Sequence, residues 1–302
     1  IEAAVAGSVV LDAQASSSSE RRVLNINPGS SGVVQLIGLN ITGGNTNFEN
    51  NGGGVYVESG TVTFSSSSIS GNTASYFGGG VYVQSGTVTF SSSFISGNTA
   101  GWKCGGVYVE SGTVTFSSSS ISGNTGGGVY VETGTVSIIN CQVYSNQAGQ
   151  GGGVFVIGGA VSIVNSQIYS NSAGGHGGGV AIFGGTVTFA SCNVHGNIAN
   201  AYQGGGVYVG CDGADCVGGT VSIISSQIYS NSAISGGGVS VERGTVAIVS
   251  SQIHSNSYLN VYVNYYSTAC SFATTLTDVD GTVSTCPAPP PASPPTPPAS
   301  PP

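Results

Sequence analysis

The chain holds 302 residues, of which only 5% are charged: four Lys plus Arg face twelve Asp plus Glu, a net charge of -8. That balance excludes nucleic acid and anionic membrane surfaces as partners. Mean hydropathy is positive, yet no run of about 20 apolar residues is present to span a bilayer, so the apolar content reads as core. The chain begins at Ile1 with neither an initiator Met nor a signal-like segment, as expected of a processed secreted protein or a fragment.

Residues 1–30 carry no repeat and read as an N-terminal cap. The triplet Asn40, Ile41, Thr42 is an N-glycosylation sequon, which makes Asn40 a candidate acceptor. Residues 31–257 are periodic: the phrase Gly-Gly-Gly-Val-Tyr-Val-x-x-Gly-Thr-Val-x-Phe-(x)4-Ile-x-x-Asn returns, lightly edited, eight times between Gly52 and Asn256. Its valines, from Val55, Val81, Val107 and Val129 to Val239, lie 22 to 32 residues apart, most often about 26. That period suits a solenoid coil of three short strands and no helix.

Within a coil, the two-residue strand period turns Val55 and Val57 to one side, and Val62 and Phe64 likewise. Stacked coils then build three inward files, headed by Val62, Phe64 and Ile69. Asparagine follows the third file at a constant offset, at Asn72, Asn98, Asn124, Asn146, Asn171, Asn197, Asn231 and Asn256. At the roughly 4.8 Å spacing of paired strands, each amide can donate to the next, a structural ladder at a corner. The glycine triplets supply the other corner, where positive φ or close backbone approach is needed. No helix pattern follows any triplet, so they are not phosphate cradles.

The repeat GGGVYVESGTVTFSSSSISGN resembles those of the right-handed parallel β-helix of the pectin-lyase-like superfamily, especially its polymorphic-membrane-protein and adhesin-like branch. The resemblance covers about residues 30 to 265 and implies an all-β, right-handed, single-stranded parallel β-helix (β-solenoid) of about 26 residues per coil. The hand agrees with that of most parallel crossovers. Activity is not implied, because the scaffold is shared by polysaccharide lyases, hydrolases, adhesins and structural fibres. The enzymes among them need clustered carboxylates on neighbouring coils with a cation alongside. Here the recurring carboxylates are Glu58, Glu110, Glu132 and Glu242 at the end of the first strand, and His176, His195 and His254 are dispersed. The expectation is no enzyme, no metal and no cofactor.

Two outward features are candidates for contact. Tyr56, Tyr82, Tyr108, Tyr130, Phe155 and Tyr208 align as an aromatic stripe, read either as an exposed surface that stacks sugars or as rings that stack on one another. The loops between each Asn and the next Gly triplet carry Tyr76, Phe77, the single tryptophan Trp102, Lys103, His176 and Tyr202, and such loops are the usual place for function. An outward Thr-x-Thr pattern at Thr61 and Thr63, Thr87 and Thr89, and Thr113 and Thr115 also raises ice binding, although Ser137, Ser162, Ser222 and Ala247 break it.

Of seven cysteines, Cys211 and Cys216 bracket an insertion, and Cys270 and Cys286 bracket the segment before the tail; both pairs read as local staples in an oxidising compartment. Cys141 and Cys192 take the inward place of serines such as Ser67 and read as reduced core residues, while Cys104 has no obvious partner. Residues 258–286 leave the repeat and read as a C-terminal cap. Residues 287–302 hold ten of the eleven prolines, a density that favours polyproline II. This tail is similar to the hydroxyproline-rich glycoproteins of green-algal and plant matrices. The resemblance implies hydroxylation or O-glycosylation at Pro287, Pro289, Pro290, Pro291, Ser293, Pro294, Pro295, Thr296, Pro297, Pro298, Ser300, Pro301 and Pro302. The leading expectation is an extracellular structural glycoprotein, a subunit of a matrix, surface fibre or flagellar appendage that associates with itself or with other matrix glycoproteins. The alternatives are an adhesin or glycan-binding β-helix, an ice-binding protein, and an inactive relative of polysaccharide lyases.

Overall fold

The computed structural model describes residues 1–47, 51–211, 218–264, 267–272, 275–276, 279–280 and 283–285. Over them the chain winds as an all-β parallel solenoid of about ten turns, with no helix. One coil shows the rule. Val55–Val57, Thr61–Ser65 and Ser68–Ser70 are its three strands, and each joins an eleven-stranded parallel sheet built from its counterparts in the other coils. The register is carried without slip, Val55 on Val81 on Val107 and Phe64 on Phe90 on Phe116.

Strand alternation buries Val55, Val57, Val62, Phe64 and Ile69 completely, as the sequence period predicts. Burying each such side chain contributes about 1.5–3 kcal/mol, and the coil-to-coil register repeats the gain. The Phe64, Phe90 and Phe116 rings stack at 4.9 and 5.0 Å between centroids, close to the strand spacing itself.

Both corners after the long strand use one left-handed residue followed by one inward polar side chain. Ser66 (φ 48°) precedes buried Ser67, and Gly71 (φ 65°) precedes buried Asn72. The asparagine row is a continuous ladder. Asn98 Nδ2 donates to Asn124 Oδ1 at 3.1 Å, Asn124 Nδ2 to Asn146 Oδ1 at 2.9 Å, and the pattern runs from Asn72 through Asn171, Asn197 and Asn231 to Asn256. Each Oδ1 also accepts the backbone N–H of the preceding asparagine, as Asn124 Oδ1 does from Asn98 N at 3.0 Å, so one side chain satisfies a corner that neither strand can reach. A second ladder runs through the serine row, where Ser67 N donates to Ser93 Oγ at 3.2 Å and Ser119 N to Cys141 Sγ at 3.3 Å. Cys141 and Cys192 are free, buried members of this row.

The glycine triplets meet both expected needs. Gly78 has φ +65°, and a Cβ on Gly79 would stand 2.2 Å from the Thr99 carbonyl oxygen.

The ends differ from the expected caps. Val9–Asp12 already pairs with Leu39–Thr42, and Leu24–Ile26 with Val55–Val57, so the stack begins within residues 1–30. Past residue 257, Val261–Val263 lies on Val239–Val241, and Ser267–Phe272 on Gly244–Val249. Open strand edges accept any further extended segment whose alternation sends apolar side chains inward, and Val261, Val263 and Ala269 are buried there without the triplet or the usual Asn offset. Asn260, buried and only four residues beyond Asn256, accepts from Asn256 Nδ2 at 2.9 Å and continues the ladder. Cys216, Cys286 and the whole of 287–302 lie outside the described residues, as does the side chain of Cys270. Cys211 is disulfide-bonded.

Candidate functional site: an aromatic notch at the short coil

The aromatic stripe forms, but most of it is covered. Tyr56, Tyr82, Tyr108 and Tyr130 stack in parallel at 5.3, 5.1 and 4.7 Å, so each ring's faces are closed by its neighbours. Tyr82, Tyr108, Tyr130 and Tyr208 are buried; Tyr56, at the end, is half-buried beneath the Arg22 guanidinium at 4.7 Å. Of the two readings of the stripe, the structure shows the second: the rings stack on one another as a buried seam. Its hydroxyls explain three of the four recurring carboxylates: Tyr82 donates to Glu110 Oε2 at 2.7 Å, Tyr108 to Glu132, and Tyr208 to Glu242 at 2.6 Å, while Tyr56 uses Gln84 at 2.8 Å. Burial first, then these bonds and the carboxylate charge, hold the Tyr82 and Tyr108 phenols above their ordinary value.

The seam stops at Tyr130, because the next coil offers Ile157 where Glu110 and Glu132 stand in earlier coils. Beyond it Phe155 turns edge-on to Tyr130, at 88° and 5.1 Å, and Phe183 turns edge-on to Phe155. The loops fail at the same place. A fourth, minor sheet of two-residue strands covers Asn45–Thr46, Thr73–Ala74 and Thr99–Ala100, then resumes at Gln147–Ala148, Ser172–Ala173 and Ile198–Ala199. Between the halves only Thr125 bridges. The coil there is 22 residues long, Val107 to Val129, and its loop between Asn124 and the glycines is a single residue.

A missing loop between two full ones leaves a notch, a cavity of about 300 Å³ floored by Gly126 and Gly127 and walled by Trp102, Tyr130, Phe155 and Phe183. Trp102 is 59% exposed and braced edge-on by Tyr76 at 4.7 Å, with Phe77 behind, tilted against both Trp102 and Tyr108. Lys103 enters beside it: its Nζ donates to the Tyr130 hydroxyl at 3.0 Å and lies 5.0 Å from that ring's centroid. Burial raises the Tyr130 phenol, and the Lys103 ammonium opposes the shift. The Tyr130 O–H has no acceptor among the described residues, and Gln150 Oε1, on the opposite lip, is buried without a hydrogen-bond partner. A cavity with aromatic walls, one ammonium and unsatisfied polar atoms of both kinds is equipped to hold a ligand's apolar ring by contact and its polar groups by direction.

Sequence reasoning singled out Trp102, Lys103, Tyr76, Phe77 and Tyr130, and the notch brings them together. It missed Phe155 and Phe183 as walls and Gln150 as a polar lip; the available signal was the 22-residue spacing. Tyr202, 54% exposed, sits apart with His176, which stacks on Tyr208 at 4.1 Å. Asn40 is half-buried mid-strand between Val10 and Ser68, with Oδ1 buried and unpartnered. A second ladder stands on the outward side: Tyr144, Tyr169, His195, Tyr229 and His254 stack at 4.9 to 5.6 Å. Among the described residues no group of three His, Cys, Asp or Glu is placed to hold a metal ion, and no helix is long and apolar enough to cross a membrane.

Stacked parallel sheets, inward files and polar corner ladders define a parallel β-solenoid. Residues 25–198 match the family described as the right handed beta helix region, and the chain belongs to that family. Comparison with curated proteins and with solved structures returns no match.

Proposed function

We propose that the chain is a structural rod of an extracellular assembly, a matrix, surface fibre or flagellar appendage, linked through its proline-rich segment. The observation that carries this reading is the internal use of the repeating polar groups. The carboxylates Glu110, Glu132 and Glu242 accept from tyrosine hydroxyls of the preceding coil, and the asparagines accept from and donate to one another. Polar groups spent on the stack in this way serve rigidity rather than acid–base chemistry. At about 4.8 Å per coil, about ten turns make a rod of roughly 50 Å. The finer kinship with the pectin-lyase-like superfamily, and of the tail with hydroxyproline-rich glycoproteins, belongs to the same proposal. Electron microscopy of native material tests it: fibres that carry this chain along their length are expected, and a dispersed monomer with polygalacturonate-cleaving activity would overturn it.

The notch favours a second reading, a β-helix that binds glycans, because an exposed tryptophan beside polar lips suits a sugar ring. A glycan array with the Trp102→Ala variant as control decides it; binding that the variant keeps counts against the notch.

A further inference from the structure

The notch and the proline-rich run both depart from the repeat, and their chemistries fit. A proline-rich strand in polyproline II offers rings and backbone carbonyls but few N–H groups, so it is recognised by aromatic walls and by donors aimed at its carbonyls. The notch supplies both. Trp102, Phe155 and Phe183 present ring surface, while Lys103 Nζ and the acceptor-less Tyr130 O–H are donors directed into the space. Gln150 Oε1, the orphaned acceptor among the described residues lining the notch, suits the N–H or hydroxyl of a residue between prolines, and the run Pro287 to Pro302 carries Ala288, Ala292, Ser293, Thr296, Ala299 and Ser300 in those places.

We propose that the notch docks a proline-rich strand, and that the strand is the 287–302 segment of a second copy of this chain. The inference rests on the reading of the chain as an assembled rod. The second copy is preferred to the chain's own tail on geometry. The segment follows strand Val283–Thr285 at the far end of the stack. Strand Thr135–Ile139, in the same coil as the notch strand Val129–Val131, lies six steps back along the same sheet, roughly 29 Å at about 4.8 Å per step. A run this rich in proline is stiff over several residues and does not readily reverse along its own rod. Extended, its sixteen residues reach about 50 Å, enough to pass from the end of one rod to the notch of the next. A cavity of about 300 Å³ takes a few residues of such a strand, leaving the rest to bridge.

Trp102, the single tryptophan, reports occupancy directly. In the full chain at high concentration its fluorescence is expected to resist acrylamide quenching. On dilution it becomes quenchable as sedimentation shows the mass fall to one copy. Adding a synthetic peptide of residues 287–302 to the dilute chain restores the shielding saturably, and a peptide with alanine at every proline does not. Tyr130→Phe keeps the stacked ring and Gln150→Leu the side-chain bulk; each is expected to weaken peptide binding about tenfold by removing one directed hydrogen bond, with an unchanged circular dichroism spectrum. Quenching indifferent to concentration and peptide overturns the proposal. Shielding that survives dilution of a single copy overturns it in favour of the chain's own tail, and equal binding of the alanine peptide removes the polyproline basis. The two readings fail separately: peptide binding with no native fibre sinks the rod, and native fibres with no peptide binding sink the notch.

Discussion

Replacing Asn124 by alanine removes one rung from the middle of the asparagine ladder. Its Oδ1 accepts from Asn98 N at 3.0 Å and Asn98 Nδ2 at 3.1 Å, and its Nδ2 donates to the Ile95 carbonyl at 3.1 Å and Asn146 Oδ1 at 2.9 Å. The Asn98 backbone N–H is left with no partner, at a cost of about 1–3 kcal/mol for a buried donor. Asn98 Nδ2 keeps the Ile69 carbonyl and Asn146 Oδ1 keeps Asn124 N, so the three other bonds cost about 0.5–1.5 kcal/mol each. Asn124→Ala should therefore lose about 3–7 kcal/mol, a large share of a domain's usual stability, while exposed Gln252→Ala should stay within about 0.5 kcal/mol.

Asn124→Asp separates hydrogen-bond direction from volume. It keeps the acceptor but turns a second oxygen toward the Ile95 carbonyl and Asn146 Oδ1, with no cation nearby, so the folded state raises the carboxyl above its unfolded value of about 3.9. A raised folded value means stability that is present below the unfolded value and lost as pH rises through the folded one. Relative to the parent chain, the Asp variant should thus be worse than Ala near neutral pH and recover toward about pH 4. Guanidinium unfolding followed by circular dichroism at both pH values is the assay. An alanine variant within about 1 kcal/mol of the parent, or an aspartate variant whose deficit ignores pH, would refute the ladder as a source of stability.

Three further outcomes follow from the geometry. Gly80→Ala brings a Cβ within 2.8 Å of the Gly106 carbonyl oxygen, whereas at Gly97 (φ +62°) a Cβ meets nothing; thermal melts should show Gly97→Ala costing about 1–2 kcal/mol and Gly80→Ala clearly more. Cys104, buried and with its thiol pushed up to about 12 by desolvation, should resist alkylation in the folded chain at mildly alkaline pH and react once guanidinium unfolds it, as mass spectrometry would show. The seam tyrosines Tyr82 and Tyr108 are held above the ordinary phenol value, while hydrogen bonds from Ser122 and Ser120 lower Tyr144. A phenolate absorbance titration should therefore ionise Tyr144 first and the seam only together with unfolding, since that stability is lost as pH rises beyond about 10; one titration step shared by all tyrosines would contradict this.

The files led by Val62, Phe64 and Ile69 and the ladder from Asn72 to Asn256 were legible because strand alternation and a constant offset each leave one assignment open. Legibility fails where geometry closes what the letters leave open. A row of tyrosines looks like a surface stripe, but at strand spacing each ring covers the next and Glu110 or Glu132 seals the rim. The extra coils at either end were hidden because Leu24–Ile26 and Val261–Val263 supply inward residues without the triplet, and because Asn260 takes its rung after four residues. At the notch the clue was a deletion. Val107 and Val129 are too close in sequence, and only in three dimensions does a missing loop become a cavity that gathers Trp102, Lys103 and Gln150.

The backbone hydrogen bonds of every sheet run from coil to coil, along the rod rather than across it. Tension applied to the two ends of the chain therefore loads a terminal coil's few bonds first and peels it from the stack, and the next coil takes the load only afterwards. Each coil released gives up a rise of about 4.8 Å and pays out 26 residues, such as Val55 to Val81, extending by roughly 90 Å. Such a rod resists bending and compression yet lengthens stepwise under pull, returning by rewinding on the template of the coils that remain. A force–extension trace should be a sawtooth of nearly equal teeth, with a shorter one where the 22-residue coil lets go and a longer one where the 32-residue coil, Val207 to Val239, does.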